Sequence, residues 1–255
     1  MTQQGEFEQG TMLIRQRYKV VRTIEAWQDY ALLEAVDIAE RETPDCLLNL
    51  YEGELLHRYG AMFSSVKAEE CPGFRGAFME NGTLVAVFDD CRGESIDASF
   101  YRGDSWEWRD RLDFAELVLH RALVMANLPA ELSCPAMMTD NLYVDAQERK
   151  VRLRFAVWPL EGVNARELAL LTGDQIRKIM PDSLHATDTE TAFQQSLDRG
   201  EHRSVVALYA AWRKARPLIE QEREEFEEKN FLSQAWTLLC RLISRRRVKK
   251  QGGTQ

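Results

Sequence analysis

The stretch Cys71–Asp97, CPGFRGAFMENGTLVAVFDDCRGESID, decides the fold. Two apolar runs, Gly73–Met79 and Thr83–Asp89, flank Glu80-Asn81-Gly82. Asn and Gly tolerate positive φ, so the triplet predicts a tight hairpin turn between two strands. Working back toward the amino terminus, Val20, Val21, Ile24, Tyr30, Leu32 and Leu33 alternate with polar residues between Tyr18 and Val36 in strand fashion. Residues 46–51, CLLNLY, form a short apolar strand. Glu54–Val66 reads as a helix with Leu55, Leu56, Tyr59, Met62, Phe63 and Val66 on one side.

After Gly93 the period changes. Trp106–Asn127 predicts one long helix, with Leu112, Ala115, Leu119, Ala122, Leu123 and Ala126 near a common face that serves core packing. A pair of short strands follows, Leu142–Val144 and Val151–Phe155, joined by Asp145–Lys150. Residues 160–215 read as mostly helical, broken near Gly173, Pro181 and Gly200, and Pro217 either interrupts or restarts a helix. The sequence thus predicts an α+β chain: a β-rich lobe at 11–94, a reduced helical lobe at 95–219, and a charged, amphipathic helix and tail at 220–255, after a polar, disordered 1–10.

Composition bounds the function. The 255 residues are 45% hydrophobic and 29% charged, an ordinary globular mix for one or two domains. A formal net charge of −8 argues against general nucleic-acid binding. The five cysteines are odd in number and form no CxxC, and with no signal peptide in view they read as reduced thiols of a cytoplasmic protein. The four histidines show no ligand spacing, and no metal is expected. No apolar run reaches the roughly 18–20 residues that span a bilayer.

The order strands, helix, strands, long helix, strand pair resembles the protein kinase superfamily, most closely bacterial Ser/Thr kinase-like domains. RYKVVRTI at 17–24 is similar to the first strand of the amino-terminal lobe, and YALLEAVDI at 30–38 to the strand after the Gly-rich loop. Residues 71–97 resemble the fourth and fifth strands running into the hinge, and NLYVDAQERKVRLRF at 141–155 the strand pair flanking the metal site. The resemblance covers about 145 residues and implies a bilobal kinase-like fold.

It also locates the catalytic positions, where the chemistry is missing. Phosphoryl transfer needs phosphates cradled, metal held and a hydroxyl proton accepted. The stretch in place of the Gly-rich loop is Glu25-Ala26-Trp27-Gln28-Asp29, with no glycine and two acids. The phosphate-pairing lysine falls at Asn49, and the helix glutamate near Met62. The His-Arg-Asp positions fall at Cys134-Pro135-Ala136, and Ala136 accepts no proton. The loop lysine becomes Met138. Asn141 matches the metal-binding asparagine, though an Asn before a strand is also an ordinary turn residue. The magnesium-holding Asp-Phe-Gly becomes Phe155-Ala156-Val157.

The resemblance with these losses implies a pseudokinase: no phosphoryl transfer, no tight ATP–magnesium binding, and a signalling scaffold or adaptor for protein partners. At the level of a truncated kinase-like cytosolic domain it is similar to the pseudokinase component of Gram-positive type VII secretion machines. The rival is a divergent ATP-dependent protein or small-molecule kinase, which would need Asp140 or Asp145 for metal and Lys67 for phosphate. A third reading is a small-molecule sensor using the emptied cleft, unless Trp27, Met62 and Met138 fill it.

Two further features point outward. Trp27 is either a plug in the vacant cleft or an exposed contact residue, whereas Trp106 and Trp108 read as packing. In the tail, Phe231, Leu232, Ala235, Trp236, Leu239, Leu242 and Ile243 recur at helical spacing, ahead of Arg245, Arg246, Arg247, Lys249 and Lys250. That pattern suits a docking helix packed on the domain, an amphipathic helix on an anionic membrane at the inner face, or an interface for a partner protein. The acidic run 220–228 is a further candidate partner for the basic tail.

Overall fold

The computed structural model describes residues 12–91, 93–101 and 106–251, with Tyr101 and 244–251 described by their backbone alone. Residues 1–10, expected to be disordered, lie outside the described residues. The architecture is α+β, and the chain divides into two compact units. Unit 1 holds residues through Ser95 together with 127–145 and 152–163; unit 2 holds 96–126, 146–151 and the chain from Asn164 onward.

Unit 1 is built on a six-stranded antiparallel sheet. Its strands are β1 (Leu13–Ile14), β2 (Tyr18–Ala26), β3 (Tyr30–Asp37), β4 (Asp45–Tyr51), β5 (Phe74–Glu80) and β6 (Thr83–Asp89), in the order β1-β2-β3-β4-β6-β5. The continuous apolar runs, CLLNLY in β4 and LVAVF in β6, take the middle, where both faces of a strand are buried. The hairpin predicted at Glu80-Asn81-Gly82 joins β5 to β6, with φ of 49° at Asn81 and 85° at Gly82. Both central residues are left-handed, the geometry that matches strand twist.

One face of the sheet gathers Tyr18, Leu33, Ala35, Cys46, Leu48, Val85 and Val87. Helix α1 (Gly53–Ser65) packs against β4, β5 and β6 through Tyr59, Met62 and Phe63. A second helix of this unit, α4 (Ala130–Ala136; numbered in chain order), leads through a 3-10 turn at Thr139–Asn141 into β8 (Leu142–Asp145), which pairs with the short β7 (Glu94–Ser95). Strand β9 (Lys150–Leu153) completes that small sheet.

An ionic cluster closes one margin of the main sheet. Arg17 donates to both Asp37 oxygens at 2.8 Å, Arg75 Nη1 lies 3.5 Å from Asp37 Oδ2, and Arg75 Nε donates to Asp89 at 2.6 Å. The hydrogen bonds from Arg17 hold the Asp37 carboxyl below the usual carboxylate range, aided by the Ala39 N–H. A folded-state value below the unfolded one, about 3.9, gives stability that is complete above that pH and lost as pH falls through the folded value. Urea midpoints of wild type and Asp37→Asn should therefore differ by a constant amount above about pH 5 and converge below about pH 4. A gap that ignores pH would mean that the charge of Asp37 contributes nothing.

Unit 2 is helical: α2 (Ile96–Tyr101), α3 (Trp108–Met125), α5 (Ala165–Ile179), α6 (Asp188–Asp198), α7 (Val205–Glu227) and α8 (Phe231–Gln251). Thr187 opens α6 with a reciprocal capping box to Glu190, and Asn164 and Ser204 cap α5 and α7. Trp106 packs on Phe100 and Phe114 at 5.4 and 5.0 Å, and the Trp108 indole donates to Glu227, so both are structural residues of this unit.

Two predicted breaks are corrected here. Gly173 lies inside α5, where its bare Cα faces Leu197, and the buried stripe Leu168, Thr172, Ile176, Ile179 carries the helix through it. Pro217 lies inside α7, which continues for ten residues beyond it. Buried Leu208, Trp212, Ala215 and Ile219 bracket the proline, and Arg216 beside it pairs with Asp113, Glu116 and Glu220. Tertiary packing offsets the one backbone hydrogen bond that proline cannot make.

Candidate functional site

Of the residues singled out in unit 1, Asn49, Asn141 and Phe155 meet at one segment, 154–160, which has no regular secondary structure. Phe155, Ala156 and Val157 are nevertheless buried. A buried irregular segment must find partners for its backbone N–H and C=O groups outside a ladder. Here side chains supply them. Asn49 Nδ2 donates to the Phe155 carbonyl at 2.9 Å, and Asn49 Oδ1 accepts from the Val157 N–H at 2.7 Å. Asn141 Nδ2 donates to the Ala156 carbonyl at 2.9 Å and Asn141 Oδ1 accepts from the Ala156 N–H at 3.2 Å. Tyr51 Oη donates to the Val157 carbonyl at 2.7 Å, and Arg58 Nη2 to the Leu160 carbonyl at 2.8 Å.

Each asparagine makes three hydrogen bonds. The second proton of Asn141 Nδ2 goes to the Pro135 carbonyl at 2.8 Å, and Asn49 Oδ1 accepts a second bond from Tyr30 Oη at 2.9 Å. Neither has solvent-accessible surface: each is 0% exposed. Burial pushes the Tyr30 and Tyr51 hydroxyls well above their ordinary range, which keeps them protonated donors.

An aromatic core surrounds this clamp. Tyr51 stacks on Tyr59 at 4.2 Å, Phe63 on Phe74 at 5.6 Å, and Phe88 on Phe155 at 4.9 Å and 14°. Of the three side chains that would either fill a vacant cleft or leave it open, Met62 is buried on α1, Met138 is half-buried, and Trp27 is 51% exposed. Trp27 packs its ring against Tyr30 at 5.4 Å between centroids. Its indole donates to Glu25 Oε1 at 3.0 Å while the Trp158 indole donates to Glu25 Oε2 at 2.6 Å. One of the two loop acids is thereby committed to two indoles.

The remaining positions are equally engaged. Ala136 is fully buried on α4. Asp145 pairs with Arg152 at 3.2 Å and Lys67 with Glu70 at 3.1 Å, while Asp140 is exposed. Among the described residues no group of three or more His, Cys, Asp or Glu could hold a metal ion. Burial pushes the Cys46 and Cys71 thiols up to about 12, so neither is a nucleophile near neutral pH.

Sequence reasoning found Asn49, Asn141 and Phe155 but read them as remnants of lost chemistry. It missed Tyr30, Tyr51 and Arg58, whose partners stand about 100 positions away for the last two. A buried Asn inside CLLNLY was the one available signal, because an amide in an apolar strand requires partners.

In unit 2, the tail residues fall on α8. Trp236 is exposed; Arg245, Arg246 and Arg247 belong to the helix backbone, and their side chains lie outside the described residues. Among the described residues no helix is long and apolar enough to cross a membrane. No protein-family model matches this chain, and no curated protein matches it in sequence.

Proposed function

We propose that this chain is a catalytically inactive, kinase-like protein that serves as a scaffold for protein partners. The observation that carries the reading is the burial of Asn49, Ala136, Asn141 and Phe155, where lysine, base and metal ligands would stand. A group without solvent surface contacts no ligand, and each of the two amides makes two hydrogen bonds to the 155–157 backbone and a third to Tyr30 or Pro135. A β-rich unit and a helical unit, in that order along most of the chain, support the kinase-like part of the reading.

The test is a thermal-shift titration with ATP, with and without magnesium. A ligand at about a hundred times its Kd adds roughly 2.7 kcal/mol, which would raise Tm by on the order of 5–10 °C for a protein of this size. The expected result is no shift at millimolar ATP in either condition. Asn49→Lys, which puts back a lysine, should not create binding and should lower Tm, because an ammonium would replace an amide at a fully buried site. A magnesium-dependent rise would overturn the proposal in favour of a divergent kinase.

A further inference from the structure

Helix α8 attaches to unit 2 by the face opposite to its strongest apolar stripe. Gln234 donates to the carbonyls of Lys229 and Phe226 at 2.9 and 3.2 Å, and Arg241 lies over the Phe226 ring at 5.7 Å. Gln234, Thr237, Leu238, Arg241 and Leu242 are half-buried. Leu232, Trp236, Leu239 and Ile243, spaced 4, 3 and 4 apart, face solvent at 77%, 67%, 46% and 45% exposure. Of the apolar stripe that one expectation from the sequence packs on the domain, Leu242 is half-buried, while Leu232, Trp236, Leu239 and Ile243 stay outside.

Helical periodicity extends the outward stripe into charge. Positions three, four and seven beyond Ile243 are Arg246, Arg247 and Lys250, so one line along the helix runs from apolar to basic. Four of the nearby acids are already engaged. Glu220 pairs with Arg216, Glu222 bonds Thr189, and Glu224 and Glu227 hold Arg109.

We propose that α8 is a peripheral docking element for an anionic phospholipid bilayer. Its apolar stripe would enter the acyl boundary, and the basic end would lie among the headgroup phosphates. Charge selects this occupant over a second copy of the chain. Parallel pairing of the stripe with itself sets arginine against arginine, and antiparallel pairing sets the basic end against apolar residues; neither balances the charge. This inference is independent of whether nucleotide binds.

The test is co-sedimentation of the full chain with vesicles of neutral phosphatidylcholine, or of the same lipid with about one-third phosphatidylglycerol. Sedimentation is expected with the anionic vesicles only, with release at about 1 M salt, where the Debye length is about 3 Å. Arg245→Gln/Arg246→Gln/Arg247→Gln should weaken binding on the order of 100-fold, about fivefold per charge. Trp236→Asp should abolish it with the melting curve unchanged, since the residue is exposed. Equal binding to neutral and anionic vesicles, or to neither, would overturn the proposal. So would a dimer in light scattering that Trp236→Asp dissolves without any vesicle binding, which would give the face to a second copy.

Discussion

Replacing Asn49 by leucine is expected to cost about 4 kcal/mol of stability, although the substitution exchanges side chains of similar size and makes the strand more apolar. The amide serves three buried groups: the Phe155 carbonyl, the Val157 N–H and the Tyr30 hydroxyl. Leucine leaves all three without their partner, and an unsatisfied buried polar group costs roughly 1–3 kcal/mol. The gain from extra apolar surface is smaller, because the site is dry already. Urea denaturation followed by circular dichroism measures the effect. Tyr30→Phe should cost about 1 kcal/mol, since Asn49 Oδ1 keeps its bond to Val157. A loss below about 1 kcal/mol for Asn49→Leu would mean that the 154–160 segment is not held as described.

Phe155→Ala is expected to be comparably severe, at about 4 kcal/mol, through packing instead of polarity. The ring is 1% exposed and stacks on Phe88, which itself contacts Phe63 and Phe74. Truncating a buried phenyl typically costs about 3–5 kcal/mol, more when the surroundings cannot collapse into the void. Collapse is restricted here because the backbone on both sides of the cavity is fixed: Asn49 holds the Phe155 carbonyl and Asn141 holds Ala156. Phe155→Leu, which retains most of the volume, should cost about 1–2 kcal/mol. Near-equal melting temperatures for Ala and Leu at this position would remove Phe155 from the core. Because the two asparagines bond backbone and the phenyl ring packs, Asn49→Leu and Phe155→Ala touch one segment and should combine non-additively.

The clamp holds an irregular segment inside unit 1 through two buried amides. A kinase needs the residues at these positions to face a solvent-filled cleft that admits nucleotide and metal. Here Asn49 bonds the Phe155 carbonyl and the Val157 N–H, Asn141 bonds Ala156, and the Phe155 ring stacks on Phe88. A polar residue in an apolar strand is conspicuous in sequence, but its partner is not, and an amide is equally compatible with a ligand site and a structural clamp until the third dimension is known.

The tail shows the same limit. Its helical spacing and basic end were legible, since period and charge are properties of consecutive residues. Which side of the helix docks was not. Gln234 and Arg241 find carbonyls and a ring on unit 2, and that leaves the more apolar stripe outside. Gly173 and Pro217 illustrate the converse: intrinsic propensity predicts breaks, and burial of the flanking stripes overrides it.

Local sequence by itself determined many of the elements of this protein, though not the passage of α5 through Gly173 or of α7 through Pro217. The Asn81-Gly82 hairpin, the two-sided burial of CLLNLY and LVAVF, the amphipathic α1 and α3, and the strand pair near 142–153 all follow from backbone preference and hydrophobic period, which act over a few residues. Tertiary structure alone decided what Asn49, Tyr51, Asn141 and Phe155 do. Their partners lie up to 108 positions apart, and a hydrogen bond or ring contact depends on distance in space, which no local pattern encodes.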